Sequence, residues 1–221
     1  MDRRRSGMTI INMLNERTKP MMKRMLMMAM MAVFAVTAAF ADDDEFKVVE
    51  GSFVDVVRQP GKTATVDFDY LDATIADKEK SGRTLKKWLQ DEDPKAFNNW
   101  DEHMADAKEY FTKRWNEEKK KNLKVGDDGP ADYRIIIKAT KFSTGNSGAA
   151  YWSMSKRDGG IIISGDLTIK DASGNTVCKV DLIDYRGASS RTMDIKVPNF
   201  TRRMKMFHKS LAKDLLEVIK K

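Results

Sequence analysis

Asp67, Asp69 and Asp72 are the residues whose type and spacing come nearest to a reactive group in this chain. Carboxylates set so closely can chelate a hard cation or divide into a general acid and a general base. The solvent face of a strand has the same spacing and accounts for them without chemistry, leaving them weak candidates for a metal site. Gly61-Lys62-Thr63 ends like a phosphate-binding loop, but Val56 stands where that loop needs its first glycine. The segment also leads into alternating residues rather than a helix, so its amides would not converge on phosphate. Ser153-Met154-Ser155-Lys156 fits Ser-x-x-Lys without the companion Ser-Asp-Asn and Lys-Thr-Gly elements. The two histidines, His103 and His208, have no Gly-x-Ser-x-Gly elbow to serve and read as surface or cap residues. Cys178 alternates with Val180 and Leu182 on an apolar face, the pattern of a buried thiol rather than a nucleophile. No catalytic residue, cofactor or metal site is expected, and the chain does not read as an enzyme.

Binding is a different matter. Between Thr144 and Gly160, Gly145, Gly148, Gly159 and Gly160 bracket Tyr151, Trp152 and Met154. Loops of that length in a compact domain are usually functional, and Tyr and Trp are the residues that anchor partners. The three side chains are therefore the candidate ligand- or partner-binding residues. A short helix that tucks the two rings over the end of a sheet is the alternative.

The elements that would position these residues follow from periodicity. Thr63–Tyr70 alternates, with Ala64, Val66, Phe68 and Tyr70 on one face and Thr65, Asp67 and Asp69 on the other, as a half-buried strand does. Phe46–Val57 is β-rich but interrupted at Glu50-Gly51-Ser52, and reads as a strand or strand pair. Leu85, Trp88 and Leu89 mark a short helix. Pro94 opens a longer one whose stripe is Phe97, Trp100, Met104, Ala107, Phe111 and Trp115, with Lys119–Lys121 on the solvated side. Three strands follow, on Tyr133–Phe142, Ile161–Ile169 and Cys178–Leu182, the last two joined by a hairpin through Gly174. A terminal helix buries Met204, Phe207, Leu211, Leu215, Val218 and Ile219, and turns Arg202, Arg203, Lys205, Lys209 and Lys213 to solvent. One-sided strands need one cover. The expected fold is α+β, a two-layer sandwich of an open mixed sheet of about four to five strands with two main helices on one face.

Charge looks at first like a pointer to nucleic acid, since 40 Lys and Arg against 33 Asp and Glu leave +7 over 221 residues. Residues 1–41, however, hold seven of the basic residues, two of the acidic ones and ten of the fifteen methionines, so the remainder carries 33 against 31, or +2. Lys23 and Arg24 precede the apolar run Met25–Val36, Thr37-Ala38-Ala39-Phe40-Ala41 supplies a small-x-small site, and Asp42–Glu45 follows. That order is a secretory signal peptide over 21–41, with 1–20 read as an upstream start artefact. A single domain over 42–221 is expected in the periplasm or outside the cell, with no membrane span after cleavage, no nucleic-acid partner and, with one cysteine, no disulfide.

Glu50-Gly51-Ser52-Phe53, Ala64–Tyr70, Phe111–Glu117, Ala131–Ile135 and Leu211–Leu215 together resemble an uncharacterised family of secreted or periplasmic α+β proteins of gut Bacteroidetes. The resemblance covers most of residues 46–221 and implies an envelope domain with no catalytic residues to carry over; the arrangement is also similar to accessory domains of envelope assemblies. The expected function is thus an exported, non-catalytic envelope protein that binds an as yet unidentified protein or ligand. The alternative is a small hydrolase or cation-dependent enzyme using the Asp cluster.

Overall fold

Alternation and helical spacing take physical form over residues 45–76, 82–119, 121–126, 129–145, 157, 159–189 and 199–218, which the computed structural model describes. All belong to Phe40–Lys221, one of two units into which the chain divides. Seven strands form one mixed sheet: β1 Phe46–Gly51, β2 Thr63–Asp69, β3 Thr74–Ile75, β4 Lys124–Val125, β5 Tyr133–Ser143, β6 Ile162–Asp171 and β7 Thr176–Arg186. Their order is β1-β7-β6-β5-β2-β4, with β3 continuing the line of β2 along β5. Pairing is antiparallel from β1 to β5 and parallel at β2, β3 and β4.

Four to five strands were expected and the described residues form seven, because three lacked a readable signal. β3 and β4 are two residues long, too short to show a period. β1 carries a bulge between Val48 and Glu50 that breaks its alternation. The strand pair expected over Phe46–Val57 is instead β1 followed by helix α1, Phe53–Arg58. Ser52 decides this, since its side chain accepts from the Asp55 amide at 3.2 Å and caps a helix inside a β-rich composition.

The helix expected from Pro94 is two, α3 Pro94–Asn98 and α4 Trp100–Glu117, after α2 Leu85–Glu92. Asn99 leaves helical geometry between them. α5, Phe200–Glu217, packs along α4, and Lys205 meets Asp106 across the pair at 2.7 Å. Phe68 of β2 touches Phe111 of α4 and His208 of α5, with ring centroids 5.7 and 4.4 Å apart, so both helices meet the same apolar face of the sheet. Ala64, Val66, Ile135, Ile137, Leu167, Ile169, Cys178 and Val180 line that face and are buried.

Three charged or polar side chains leave the places their helix faces suggest. Arg203 is buried rather than solvated, His208 lies fully in the core, and Lys121 is buried against Trp115. Trp115 Nε1 and Lys121 Nζ both donate to Leu123 O, at 3.1 and 2.8 Å, and desolvation brings the Lys121 amine down to about 8. Asn116 pins β4 by donating to Val125 O at 2.6 Å and accepting from Val125 N at 3.1 Å.

Candidate functional site

The two arms of the Thr144–Gly160 loop leave β5 and re-enter at β6, and α5 supplies the residue that ties them together. Arg203 Nη1 donates to Thr144 O on the outgoing arm and to Gly159 O, 3.4 Å away, on the returning arm. A buried guanidinium whose Nη1 donates to two carbonyls holds those acceptors together, because separating them would strand a desolvated charge. Glycine makes the approach possible. A Cβ on Gly145 would overlap the carbonyls of Gly159 and Gly160, one on Gly160 would overlap Gly187 O, and one on Gly187 would strike the Phe207 ring. Gly145 also sits at φ +68°, where side chains are disfavoured.

A second guanidinium anchors the returning arm. Arg157 donates through Nη1 to both oxygens of Glu45, at 3.3 and 3.1 Å, and through Nη2 to Asp214 Oδ2 at 2.6 Å. Tyr185 Oη donates to the same Asp214 oxygen at 2.9 Å, and Arg157 lies 5.9 Å from the Tyr185 ring centroid. Ser210 Oγ, 3.1 Å from Tyr185 Oη, accepts from the Ala188 amide at 2.8 Å. Burial raises the Asp214 carboxyl above its ordinary range, against the opposing pull of Tyr185 and Arg157. Burial likewise lifts the Tyr185 phenol. The cluster thus links Glu45, the returning arm at Arg157, the end of β7 at Tyr185 and α5 at Asp214 and Ser210.

Tyr151, Trp152 and Met154, the candidate binding residues, lie outside the described residues, as do Ser153 and Lys156. Asp67 and Asp69 face outward from β2, each within reach of a cation of β5. Asp67 Oδ2 accepts from Arg134 Nε at 2.6 Å, and Asp69 lies 3.6 Å from Lys138 Nζ. Asp72 is exposed in the turn after β2. Among the described residues no group of three or more His, Cys, Asp or Glu could hold a metal ion. Replacing Asp67 with Ala should change the unfolding free energy by less than about 1 kcal/mol in urea titrations, the range of an exposed pair; a loss of several kcal/mol would give the row a structural weight its exposure does not predict.

Lys62, of the phosphate-loop pattern, is held by Asp132 at 2.7 Å, and the Thr63 amide donates to the same carboxylate at 2.9 Å as β2 begins. Both histidines prove buried, which corrects their reading as surface or cap residues. His103 Nε2 lies 3.4 Å from Thr201 Oγ1. His208 Nδ1 donates to Met204 O at 2.7 Å, leaving Nε2 to accept from Tyr70 Oη at 3.1 Å. Its position four residues after Met204 put it on the apolar stripe, a signal that spacing alone carried. Cys178 is fully buried, and its thiol is pushed up to about 12 by desolvation, as a packing thiol's should be. Arg203 and Arg157 had no comparable signal, because each acts on carbonyls or carboxylates distant in sequence.

No family model matches the chain, and no curated protein matches it. Among solved structures it is similar to two PelC dodecamers from Paraburkholderia phytofirmans, one of a point variant, at 11% and 10% identity. Each match covers 79% of this chain and 95% of the other, with a TM-score of 0.34. Among the described residues no helix is long and apolar enough to cross a membrane, and the only cysteine of the chain is free.

Proposed function

We propose that this chain is an exported, non-catalytic protein of the bacterial envelope, periplasmic or secreted, that binds a protein or ligand partner through the Thr144–Gly160 loop. The observation that carries this reading is the tie between the loop's arms, which Arg203 joins at Thr144 and Gly159 and Arg157 anchors to α5. A loop held at its base by buried charge and glycine contacts loses less freedom on binding, the advantage of preorganisation. Tyr151, Trp152 and Met154, which belong to the loop's sequence, are the residues proposed to contact the partner. The order of basic residues, apolar run and small-x-small site before Asp42 supports export, and the resemblance to secreted Bacteroidetes proteins agrees with it. In this reading the fold is a two-layer one, with α4 and α5 over one sheet face and the charged outward face open.

The alternative, a hydrolase or cation-dependent enzyme on Asp67, Asp69 and Asp72, has less in its favour, since the first two carboxylates are matched by Arg134 and Lys138 on an open face. Affinity capture from envelope extracts tests the binding reading. The wild type should retain a partner that Trp152→Ala loses, while far-UV circular dichroism of the two is the same. Identical partner lists from two folded proteins would remove the loop from the function.

A further inference from the structure

β1 is an edge strand: among the described residues it pairs with β7 alone, and Lys47, Val49, Glu50 and Gly51 are exposed. An open edge is a template for another strand, and proteins usually protect it with a charge or a bulge. β1 has both, in Lys47 and in the bulge at Val49. Their arrangement nevertheless suits one particular occupant.

The Ile183 amide donates to Glu45 O at 2.9 Å, so the backbone groups of Glu45 and Lys47 face β7 while those of Phe46 and Val48 face the free side. The bulge shifts this alternation by one, and Glu50, opposite Lys179, then faces β7 and leaves Gly51 on the free side. Two β1 strands brought together antiparallel can therefore match free backbone groups by setting Phe46 against Gly51 of a second copy. That register also sets Lys47 against Glu50 and Val48 against Val49 of the second copy. Lys47 and Glu50 lie on the same, outward face, since they stand opposite Asp181 and Lys179 of β7. Across the junction the outward charges would run Asp181, Lys47, then Glu50 and Lys179 of the second copy, alternating in sign, and the two-fold axis would repeat the pairing. Val49, 43% exposed and among the large apolar side chains left in solvent, would gain an apolar neighbour.

From the coincidence of backbone parity and charge pairing in a single register, we infer that β1 is a self-association edge whose occupant is a second copy of this chain. The Lys47 charge that repels other strands is answered here by Glu50, so the device that guards the edge also selects the partner. The inference is independent of the loop and its partner.

Sedimentation of the purified protein over a concentration series tests it. The wild type should form a dimer that weakens with salt. Lys47→Glu and Glu50→Lys should each weaken it by about tenfold or more, because two symmetric pairs turn repulsive in each dimer. Mixing the two variants should restore association, since each then finds opposite charge at both positions. A wild type that stays monomeric throughout, or a dimer indifferent to both reversals, overturns the inference. Should either variant fail to fold, hydrogen exchange on the wild type decides: the Phe46 and Val48 amides must gain protection as concentration rises, and unchanged exchange overturns the edge.

Discussion

Acidification from pH 8 to pH 4 should cost the protein about 3 kcal/mol of stability through His208 alone. The ring is fully buried among Phe68, Tyr70 and Phe207, and its two nitrogens are spent on Met204 O and the Tyr70 hydroxyl, an arrangement that suits the neutral imidazole. Desolvation, partly offset by the hydrogen bond to Met204, lowers its pKa from 6.5 to about 4 in the folded protein. An unfolded chain therefore binds a proton that the folded one refuses. The stability is present in full above pH 6.5 and is lost as pH falls towards 4, at about 1.4 kcal/mol for each pH unit in that window. Asp214 works the other way: burial raises its pKa, so its folded form gains protons in acid, and a bare pH profile would mix the two. The measurement is the difference between the wild type and His208→Gln in urea unfolding from pH 8 to pH 4. That difference should shrink with acid as the wild type alone pays to protonate. A gap that stays constant would mean that His208 does not remain neutral in the fold.

Gly160→Ala should destabilise by about 3 kcal/mol, the upper range for an overpacked site, although it adds one methyl group. The new Cβ would meet Gly187 O and also lie 2.9 Å from Arg157 O, and both obstacles are backbone. Neither can rotate away as a side chain would. Relief requires the returning arm to move away from Gly187, which disturbs the neighbouring Gly187 to Ile161 hydrogen bond of 3.1 Å and the base of the proposed binding loop. Gly174→Ala is the control. Gly174 has φ +86° but nothing within 4 Å of its Cβ direction, so it should lose only about 1 kcal/mol of backbone strain. Equal costs for the two substitutions in denaturant titrations would show that strain rather than close packing sets the penalty. A Gly160→Ala protein that stays folded but loses its captured partner would tie the loop base to binding.

Several elements were legible because one local force decides them. Thr63–Asp69 and Thr176–Arg186 alternate since one side of each is buried, and the hairpin between Asp171 and Thr176 turns at Gly174 where a positive φ is needed. The helical spacing of Trp100, Ala107, Phe111 and Trp115 survives as the buried face of α4. Failures came where a single residue or a distant partner outweighed the average. Ser52 capped a helix within β-prone neighbours, and Asn99 divided a continuous apolar stripe. β3 and β4 exist only because β5 and β2 offer them an edge.

The candidate site divides along the same line. The glycines around Thr144–Gly160 suggested an irregular connection, and the Tyr and Trp within its sequence are the ground on which a binding role is proposed for it. Nothing along the chain announced that Arg203, 59 residues from Thr144, would be drawn inward to its carbonyl, or that Arg157 would reach Asp214 across 57 positions. Cation-bearing helix positions are ordinarily solvated, and burial is favourable only when tertiary packing delivers acceptors to the same point. By itself the sequence determined the α+β class, the apolar stripes of the main helices and the alternation of the main strands, because hydrophobic periodicity is a local property. Only the tertiary structure decided which charges are buried, which carboxylates are paired and which strand stands at the edge of the sheet among the described residues, since those depend on what meets across the sheet.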